Sequence, residues 1–575
     1  MSTGDAASLR LAHLRAAVER DPSDFIAWVE LSDSELDAGD AEAGESAAAR
    51  ALQLRPDHPE ALARLGRAYW AMHRHEPAVL ALQQASAQAP AHPGIALWLG
   101  HALEDAGQAE EAAAAYEHAY RLLPQEPMFA AHLLNWRRRL CDWRELDTLS
   151  AQVRESVAAR SGAIEPFAFL SEDGSPAEQL ACARQRAAGV ARQVSPLPAA
   201  GHPASDTLRL GFLSNGFGAH PTGLLTVALF EALAGHPQVA THLFAINRDD
   251  GSLVRQRLAA AVDQLDDVSQ ANHGDIAGQI RAAGIDVLYD LRGWGGGGMP
   301  EMLARRPAPI QVNWLAYPGT SGAPWIDYVL ADRFVLPGSL APCFSESVAW
   351  LPRCFQPSDI HRAVIDPAPR MAYGLPETGA VFACFNNSYK LNPPSFSRML
   401  KVLAGVRGSV LWLLSGPGDS DQRLRQAAQS GGIDPARVRF VAKQPHARYL
   451  ALYRHVDLFL DTNPYNAHTT ASDALWAGCP VLTRPGDTFA SRVAGSLNHH
   501  LGMDEMNVAS DAEFTGRAIA LGNDAAALDA QRARLQQARA AAGLFDMAGF
   551  ADDFVHATRH MANRHRQGLP PASFG

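Results

Sequence analysis

The first third of the chain repeats one pattern of apolar and small positions every 34 residues. A period of this length predicts a stack of helical hairpins, because one repeat buries its apolar face only against its neighbours. The positions that keep the spacing are Pro22, Pro56, Pro90 and Pro124, then Ala17, Ala51, Ala85 and Ala119, and finally Leu31, Leu65 and Leu99.

The same template contains the residues that two closely packed helices need. Gly66 and Gly100 directly follow their leucines, and Ser32 takes the equivalent place in the earlier repeat. A small residue here lets the helices approach, and the proline ends the second helix. The pattern resembles the tetratricopeptide repeat, whose superhelix binds extended polypeptide on its concave face. The alternative is a generic alanine-rich helical bundle.

We place the repeats at residues 1–140 and a helical transition and linker at residues 141–203. Ser195–Pro203 is the best linker candidate, because its three prolines interrupt any helix. After it, short β-type runs alternate with helical windows, which is typical of parallel sheets with crossover helices. A first group of predicted strands is Leu208–Leu213, His242–Ile246, Asp286–Leu291, Ile310–Leu315 and Tyr328–Leu330. A second group is Ala380–Phe385, Ser409–Leu414, Val438–Val441, Leu458–Leu460 and Val481–Leu482.

These two groups predict two α/β domains, at residues 204–370 and 371–575. The second ends in a helix whose apolar stripe packs back on the fold, and that stripe is Phe550, Phe554, Ala557 and Met561. Two doubly wound domains hold a ligand in the cleft outside the carboxyl ends of their strands.

Composition narrows the class of partner. Fifty Lys and Arg against 61 Asp and Glu give a net charge of −11, without a polybasic run, which argues against nucleic acid and anionic membranes. Six scattered cysteines without a C-x-x-C pair, and first residues without an export signal, predict a cytoplasmic protein. No run approaches 18 apolar residues, so no membrane-spanning helix is predicted.

The segment Leu460–Gly478 contains the most informative chemistry. A predicted strand ends near Asp461, a turn follows, and Thr470 with Asp473 has the spacing of a capping box. A helix that begins at the carboxyl end of a strand offers free N–H groups to a phosphate, and the alternative is an ordinary capped helix. Lys390 follows another strand of the same domain, where it either meets the same phosphates or is a surface lysine.

These segments, with Tyr317–Gly322, Gly218–Thr222 and Leu475–Pro480, resemble the catalytic region of the O-linked N-acetylglucosamine transferase family. The similarity covers nearly the whole chain, which resembles a bacterial homologue without the long insertion between the catalytic domains. The resemblance implies a GT-B fold, UDP-N-acetylglucosamine (UDP-GlcNAc) as donor, protein serine or threonine as acceptor, inversion at the sugar carbon, and no required metal or other cofactor. It also implies a UDP-sugar and polypeptide as partners.

The resemblance also implies roles for single residues. Lys390 contacts the diphosphate and His220 is the candidate general base, so these two are the catalytic candidates. The implied nucleotide and phosphate contacts are Asn387, Ala442, Lys443, His446, Arg448, His468, Thr469, Thr470 and Asp473. Asn387 stands where the animal enzymes have glutamine, and the loop before Arg448 is one residue shorter here. The residues implied to shape the sugar pocket are Leu315, Ala316, Pro318 and Gly319.

Two further motifs are weaker. Asp419-Ser-Asp421 has the D-x-D form of metal-dependent glycosyltransferases, but it lies in a polar, turn-like stretch and predicts a solvated loop. Gly293–Gly298 contains G-x-G-x-x-G without an acidic residue about twenty positions later, so we interpret it as a flexible loop near the sugar. We predict no metal ligands at His73 and His75 or at His499 and His500.

Two rival functions remain open from the sequence. One is a related transferase that uses GDP-fucose or UDP-glucose. The other is a repeat scaffold with an inactive catalytic region.

Overall fold

The 34-residue period appears directly in the helix positions of the computed structural model, which describes residues 3–162, 164–198, 207–541 and 543–575. The first helices of successive repeats begin at Phe25, Pro59, Pro93 and Pro127, each 34 residues after the last. The helices are α1 (Thr3–Arg20), α2 (Phe25–Asp37), α3 (Ala41–Leu54), α4 (Pro59–Ala71), α5 (His75–Gln88), α6 (Pro93–Asp105), α7 (Ala109–Leu122), α8 (Pro127–Arg139) and α9 (Leu146–Ala159). The predicted repeats are therefore confirmed.

The small residues of the template occupy close helix contacts. A Cβ atom on Gly66 would lie 2.5 Å from Leu82 Cγ, and one on Gly100 would lie 2.6 Å from Tyr116 Cε1. At the equivalent place the Ser32 hydroxyl donates to the Gly44 carbonyl at 2.8 Å. A larger side chain at these positions would push the two helices of a repeat apart, as the sequence predicts.

The chain divides into two compact units, one of residues 1–156 with 416–420 and one of residues 157–415 with 421–575. The second unit begins with the end of α9, followed by α10 (Pro166–Phe169) and α11 (Pro176–Ala191). Leu170, Ala187 and Val190 from this helical segment share a buried core with the first α/β domain. The predicted linker Ser195–Pro203 falls partly on residues 199–206, which lie outside the described residues.

The first α/β domain contains a seven-stranded parallel sheet in the order β3-β2-β1-β4-β5-β6-β7. Its elements are β1 (Leu208–Ser214), α12 (Pro221–Leu233), β2 (Val239–Ala245), α13 (Leu253–Ala261), β3 (Gln264–Asp267), α14 (His273–Ala282), β4 (Val287–Asp290), α15 (Pro300–Ala304), β5 (Ile310–Asn313), β6 (Tyr328–Asp332) and β7 (Ser347–Leu351). The five predicted strands are all present. The strands that the prediction omitted, β3 and β7, form the two edges of this sheet.

The second α/β domain contains a five-stranded parallel sheet in the order β10-β9-β8-β11-β12. Its elements are β8 (Val381–Cys384), α16 (Pro393–Gly405), β9 (Val410–Leu414), α17 (Ser420–Ser430), β10 (Val438–Val441), α18 (His446–Leu452), β11 (Leu458–Leu460), α19 (Thr469–Trp476), β12 (Val481–Leu482), α20 (Val493–His500), α21 (Asp511–Gly522), α22 (Ala525–Ala541) and α23 (Met547–Arg566). All five predicted strands are present.

The apolar stripe of α23 is buried and packs against the first sheet. The Phe554 ring lies 4.8 Å from the Tyr289 ring and 5.0 Å from the Trp314 ring, between centroids. The Tyr289 and Thr558 hydroxyl oxygens lie 2.5 Å apart. A helix near the end of the sequence thus completes the core of the first α/β domain.

Within the described residues, no helix is long and apolar enough to cross a bilayer.

Candidate functional site

The predicted catalytic residues His220 and Lys390 lie where the order of each sheet reverses. In the first sheet this point lies between β1 and β4, and in the second between β8 and β11. His220 follows β1 and Lys390 follows β8, while the loop Asp461–His468 follows β11. Crevices outside the carboxyl ends of strands at such points are where doubly wound folds bind ligands.

Lys390 is a buried lysine, not a surface lysine, and is only 8% exposed. Its Nζ donates to the Asn466 carbonyl at 2.7 Å and lies 3.8 Å from the centroid of the Tyr465 ring. Burial lowers the pKa of Lys390 well below that of a free lysine, and the nearby Asp461 carboxylate opposes this shift. A desolvated cation at the carboxyl end of a strand is well suited to binding an anion. Asn387, three residues earlier, is exposed.

Asp461 organises this edge of the second sheet, a role that the sequence analysis did not assign. One of its carboxylate oxygens accepts from the backbone N–H groups of Thr462 and Ala467, at 2.8 and 2.7 Å. The same oxygen accepts from Asn386 at 3.2 Å, and the other accepts from Thr483 at 2.7 Å. Asp461 therefore fixes the loop after β11 against the loop that carries Lys390.

The capping box predicted for Thr470 and Asp473 is wrong. The helix α19 begins at Thr469 with His468 at its N-cap, and the Asp473 carboxylate bonds to other side chains instead. The first N–H groups of α19 are therefore not occupied by that carboxylate. Thr469 and Thr470 are both partly exposed at this helix start, which keeps the geometry that suits a phosphate.

His468 is held as a neutral ring at this helix start. Its Nε2 lies 3.0 Å from the Ala490 carbonyl, which places a proton on Nε2. Burial and the charge of Lys390 lower the pKa of His468 well below the ordinary value. With its Nε2–H on the Ala490 carbonyl, the neutral ring adds no positive charge to the site and has only Nδ1, an acceptor, left for a ligand.

Asp473 is buried and fully engaged. The Arg362 guanidinium donates to it at 2.6 Å, and His446 Nε2 lies 3.3 Å from both of its carboxylate oxygens. The structure thus brings together two of the predicted nucleotide contacts, His446 and Asp473. It adds Arg362, which belongs to no motif that the sequence offered.

The segment after β10 supplies exposed candidate contacts. Ala442 and Lys443 are exposed at the end of this strand, and Arg448 is exposed on α18. His446, the first residue of α18, is partly exposed. A nucleoside placed beside the Asp473 and His446 pair would be close to this segment of the chain.

His220 caps α12. Its Nδ1 accepts from the Thr222 backbone N–H at 3.2 Å, so the neutral ring carries its proton on Nε2. Burial and the charge of Arg292 lower the pKa of His220 to about 4. The ring is therefore uncharged near neutral pH, as a base requires, but its free nitrogen is a donor.

Arg292 carries a charge near residues of both switch points. It follows β4 of the first sheet, and its charge acts on both His220 and Tyr465. Tyr465 in turn lies in one buried cluster with Trp294 and Tyr317 of the first domain. Arg292 thus lies near His220, and Tyr465 lies against Lys390.

The segment predicted to shape a sugar pocket follows β5 and is tightly packed. Leu315 adopts a positive φ of 83°, a strained backbone for a residue with a side chain. The Gly319 carbonyl accepts from Asn313 at 2.9 Å, and a Cβ on Gly319 would lie 3.3 Å from Leu170 and from Tyr317. Pro318 is buried between them and Ala316 is partly exposed.

The glycine loop Gly293–Gly298 is held by hydrogen bonds. The Gly296 carbonyl accepts from both Asn215 and Arg292, and Asp290 accepts from the Gly293 N–H at 3.0 Å. Gly297 has a positive φ of 76°, and a Cβ there would lie 2.1 Å from Asn215 Nδ2. The loop therefore lies against the segment between β1 and His220.

The solvated loop predicted at Asp419-Ser-Asp421 is not a loop throughout, because α17 begins at Ser420. Among the described residues, no group of three or more His, Cys, Asp or Glu side chains is arranged to hold a metal ion. His499 instead pairs with Asp504 at 2.8 Å, and the His73 and His75 rings lie edge to face at 6.1 Å.

The family model for glycosyl transferase family 41 matches residues 197–368 and 359–554 of this chain. A tetratricopeptide repeat model matches residues 94–126. Among solved structures, the chain is similar to an O-GlcNAc transferase mutant of Thermobaculum terrenum, with 26% identity and a TM-score of 0.69. That match covers 96% of this chain and 99% of the other. It confirms the predicted fold, in which repeats precede two Rossmann-like domains of the GT-B type.

Two curated relatives are named as N-acetylglucosaminyltransferases. A probable UDP-N-acetylglucosamine–peptide N-acetylglucosaminyltransferase of Arabidopsis thaliana, SEC, is 33% identical over an alignment of 469 positions that covers 77% of this chain and 48% of that protein. A UDP-N-acetylglucosamine–peptide N-acetylglucosaminyltransferase of Caenorhabditis elegans is 28% identical over an alignment of 479 positions that covers 63% of this chain and 41% of that protein. The chain spans about half the length of these curated relatives.

Proposed function

Since the chain belongs to glycosyl transferase family 41, we propose that it transfers N-acetylglucosamine from UDP-GlcNAc to serine or threonine hydroxyls of proteins. The observation on which this rests is the buried Lys390 beside the start of α19, at the switch point of the second sheet. A cation and free N–H groups at such a point suit the diphosphate of a nucleotide sugar. The uncharged His220 follows β1, at the switch point of the first sheet.

The reaction is a single displacement. The acceptor hydroxyl oxygen forms a bond to the anomeric carbon from the face opposite UDP, and the bond from that carbon to the β-phosphate oxygen breaks. The hydroxyl proton passes to a base, for which His220 is the candidate, and UDP leaves with the bonding electrons. Lys390 and the first N–H groups of α19 stabilise the charge that grows on the phosphate, so the proposed reaction requires no metal or other cofactor.

We assign the nucleoside to the side of the site formed by Ala442, Lys443, His446, Arg448 and Asp473. The sugar then lies toward Leu315, Pro318 and Gly319, and Asn387, His468, Thr469 and Thr470 line the phosphates. The repeats supply a groove for the polypeptide acceptor, since stacked helical hairpins present a concave face. A cytoplasmic location remains a prediction from the cysteine pattern.

We expect purified protein to transfer N-acetylglucosamine to protein acceptors from UDP-GlcNAc, equally well with and without EDTA. The measurement is transfer of a labelled sugar with UDP-GlcNAc, UDP-glucose and GDP-fucose, combined with thermal shifts for each nucleotide sugar. Transfer from only UDP-glucose or GDP-fucose would reassign the donor. Transfer lost in EDTA and restored by Mn²⁺ would instead implicate Asp419 and Asp421. If none of the three nucleotide sugars raised the melting temperature, the result would favour an inactive scaffold.

Removal of residues 1–144 is expected to abolish transfer to proteins while UDP still raises the melting temperature. The second compact unit keeps both sheets and the core of Leu170, Ala187 and Val190 in such a truncation. Removal of residues 1–191 takes away that part of the core, so we expect loss of cooperative unfolding. Calorimetry of the two truncations with UDP checks both statements. If removal of residues 1–144 weakened UDP binding as much as it weakened transfer to proteins, the repeats would be needed to stabilise the catalytic fold.

A further inference from the structure

The connection between the two sheets contains a short segment, Ser358–Arg362, in which Ser358, Asp359 and Arg362 are buried while His361 is exposed. Asp359 is 2% exposed and Arg362 is 6% exposed. Charged side chains at this level of burial are retained when they pair. Arg362 pairs with the second α/β domain, and Asp359 pairs with the first.

Arg362 pairs with the second domain. Its Nη1 donates to Asp473 at 2.6 Å, and its Nη2 donates to the Ser358 hydroxyl and lies 3.4 Å from the Ser472 hydroxyl. The guanidinium lies over the Trp476 ring at 5.3 Å, and the Trp476 indole donates to the Arg362 carbonyl at 3.0 Å. Several donors in a fixed plane thus contact successive residues of α19.

Asp359 pairs with the first domain. Its two carboxylate oxygens accept from Arg257 at 2.9 and 3.0 Å, and Arg257 also forms a two-point pair with Glu231 on α12 at 2.8 Å. The Asp359 backbone carbonyl accepts from Arg362 Nε at 2.9 Å. The segment is therefore fixed at one end to α13, and through Arg257 to α12, and at the other end to α19, which leaves Arg362 little freedom to move.

The fixed position of Arg362 determines how the Asp473 carboxylate is oriented. Its carboxylate has Arg362 on one oxygen and His446 Nε2 at 3.3 Å from both. His446 is the first residue of α18, two residues before the exposed Arg448, and is itself partly exposed. Arg362 thus sets the orientation of a carboxylate that in turn orients a histidine at the surface of the proposed nucleoside site.

We propose that Arg362 is a positioning residue for the nucleoside part of the donor, acting through Asp473 and His446. This inference rests on the proposed function. The Arg362→Lys variant keeps the positive charge but replaces the planar guanidinium by a single ammonium donor. Comparing it with wild type therefore tests the geometry of the side chain apart from its charge. Loss of the fork frees the Asp473 carboxylate and leaves His446 without its fixed partner.

The test compares UDP with inorganic pyrophosphate, which lacks the nucleoside, by calorimetry on the full chain. In Arg362→Met we expect UDP affinity to fall by about tenfold to a hundredfold, with pyrophosphate affinity changed by less than about threefold. We expect KM for UDP-GlcNAc to rise by a similar factor while kcat at saturating donor falls much less. Arg362→Lys should show the same pattern to a smaller degree.

Arg353→Met is the matched control. Arg353 lies in the same connection and pairs with Asp546, the N-cap of α23, and with Asp553 on that helix, so its loss also removes a part-buried ion pair. It should leave the ratio of UDP to pyrophosphate affinity unchanged. The double variant Arg362→Met with His446→Ala should lose little more UDP affinity than either single variant, because both act on one arrangement.

The possible outcomes are distinct. If the wild-type protein binds no UDP, the proposed function itself fails. If it binds UDP and the Arg362 variants lose UDP and pyrophosphate affinity in the same proportion, Arg362 is only structural and the inference is wrong. If Arg362→Met does not fold, Arg362→Lys decides, and an unchanged affinity ratio in that variant overturns the inference.

Discussion

Replacing Lys390 by alanine is expected to lower kcat by about 10²–10³ and to weaken UDP binding as well. The magnitude follows from the loss of one donor that stabilises charge developing in the transition state. UDP affinity falls too, because the product keeps the diphosphate that the lysine binds. Steady-state kinetics with UDP-GlcNAc and calorimetry with UDP check the two parts of this prediction.

The chain offers a matched control, since it has three lysines and Lys401 is exposed on α16. Lys401→Ala removes the same charge from the surface of the same domain and should leave both constants unchanged. Lys390→Ala also leaves the buried Asp461 without its cationic neighbour, so its melting temperature must be measured beside the kinetics. A folded Lys390→Ala protein with kcat within about threefold of wild type would remove Lys390 from the mechanism.

The pH dependence gives the same role a second signature. Only the ammonium form of Lys390 stabilises the phosphate, so activity is lost as pH rises through the pKa of this lysine. Because burial lowers that pKa, the alkaline limb of kcat/KM should begin well below the range of a free lysine. Bound diphosphate favours the charged form, so the limb of kcat should lie at higher pH. Lys390→Arg, which stays charged, should lack this limb.

The sequence predicts a site residue best when that residue directly follows an apolar strand, because the strand is itself a clear signal. Lys390 and His220 each follow an apolar strand, and the order of parallel strands brings such residues to one edge of their sheets. The two omitted strands show where this signal fades. β3 reads Gln264–Asp267, a polar edge strand with exposed ends, and β7 is a short run between Pro342 and Pro352. β3 buries little surface at the sheet edge, so few of its residues need to be apolar, whereas β7 is apolar and largely buried and was omitted because it is short.

The wrong capping box and the omitted Arg362 have one physical cause. Asp473 has the spacing of a local cap, but a buried guanidinium 111 residues away competes for its carboxylate. A charge-assisted bond in a buried setting is stronger than a cap that water can replace. No local pattern marks Arg362, because its partner is set by the path of the connection between the sheets. Tertiary pairing of this kind is visible only once the fold is known.

Replacing His220 by alanine is expected to lower kcat by about 10² while UDP affinity stays nearly unchanged. General base catalysis contributes about 10²–10⁴, and a base with a pKa near 4 belongs at the lower end of that range. The free enzyme should lose activity as pH falls through about 4, because only the neutral ring accepts a proton. To act as this base, the ring must take the proton at Nδ1 and release the Thr222 N–H.

His220→Asn separates the base from the helix cap. An asparagine oxygen accepts from the first turn of α12 as the His220 Nδ1 does, but the amide does not titrate. If His220 is the base, Asn and Ala are equally slow, both lack the acidic limb, and only the Ala variant loses the stability of the cap. If Asn instead recovers kcat to within about tenfold of wild type and keeps the acidic limb, His220 orients the substrate through Nε2–H. The acceptor proton must in that case leave by another route, to water or to a phosphate oxygen of the donor.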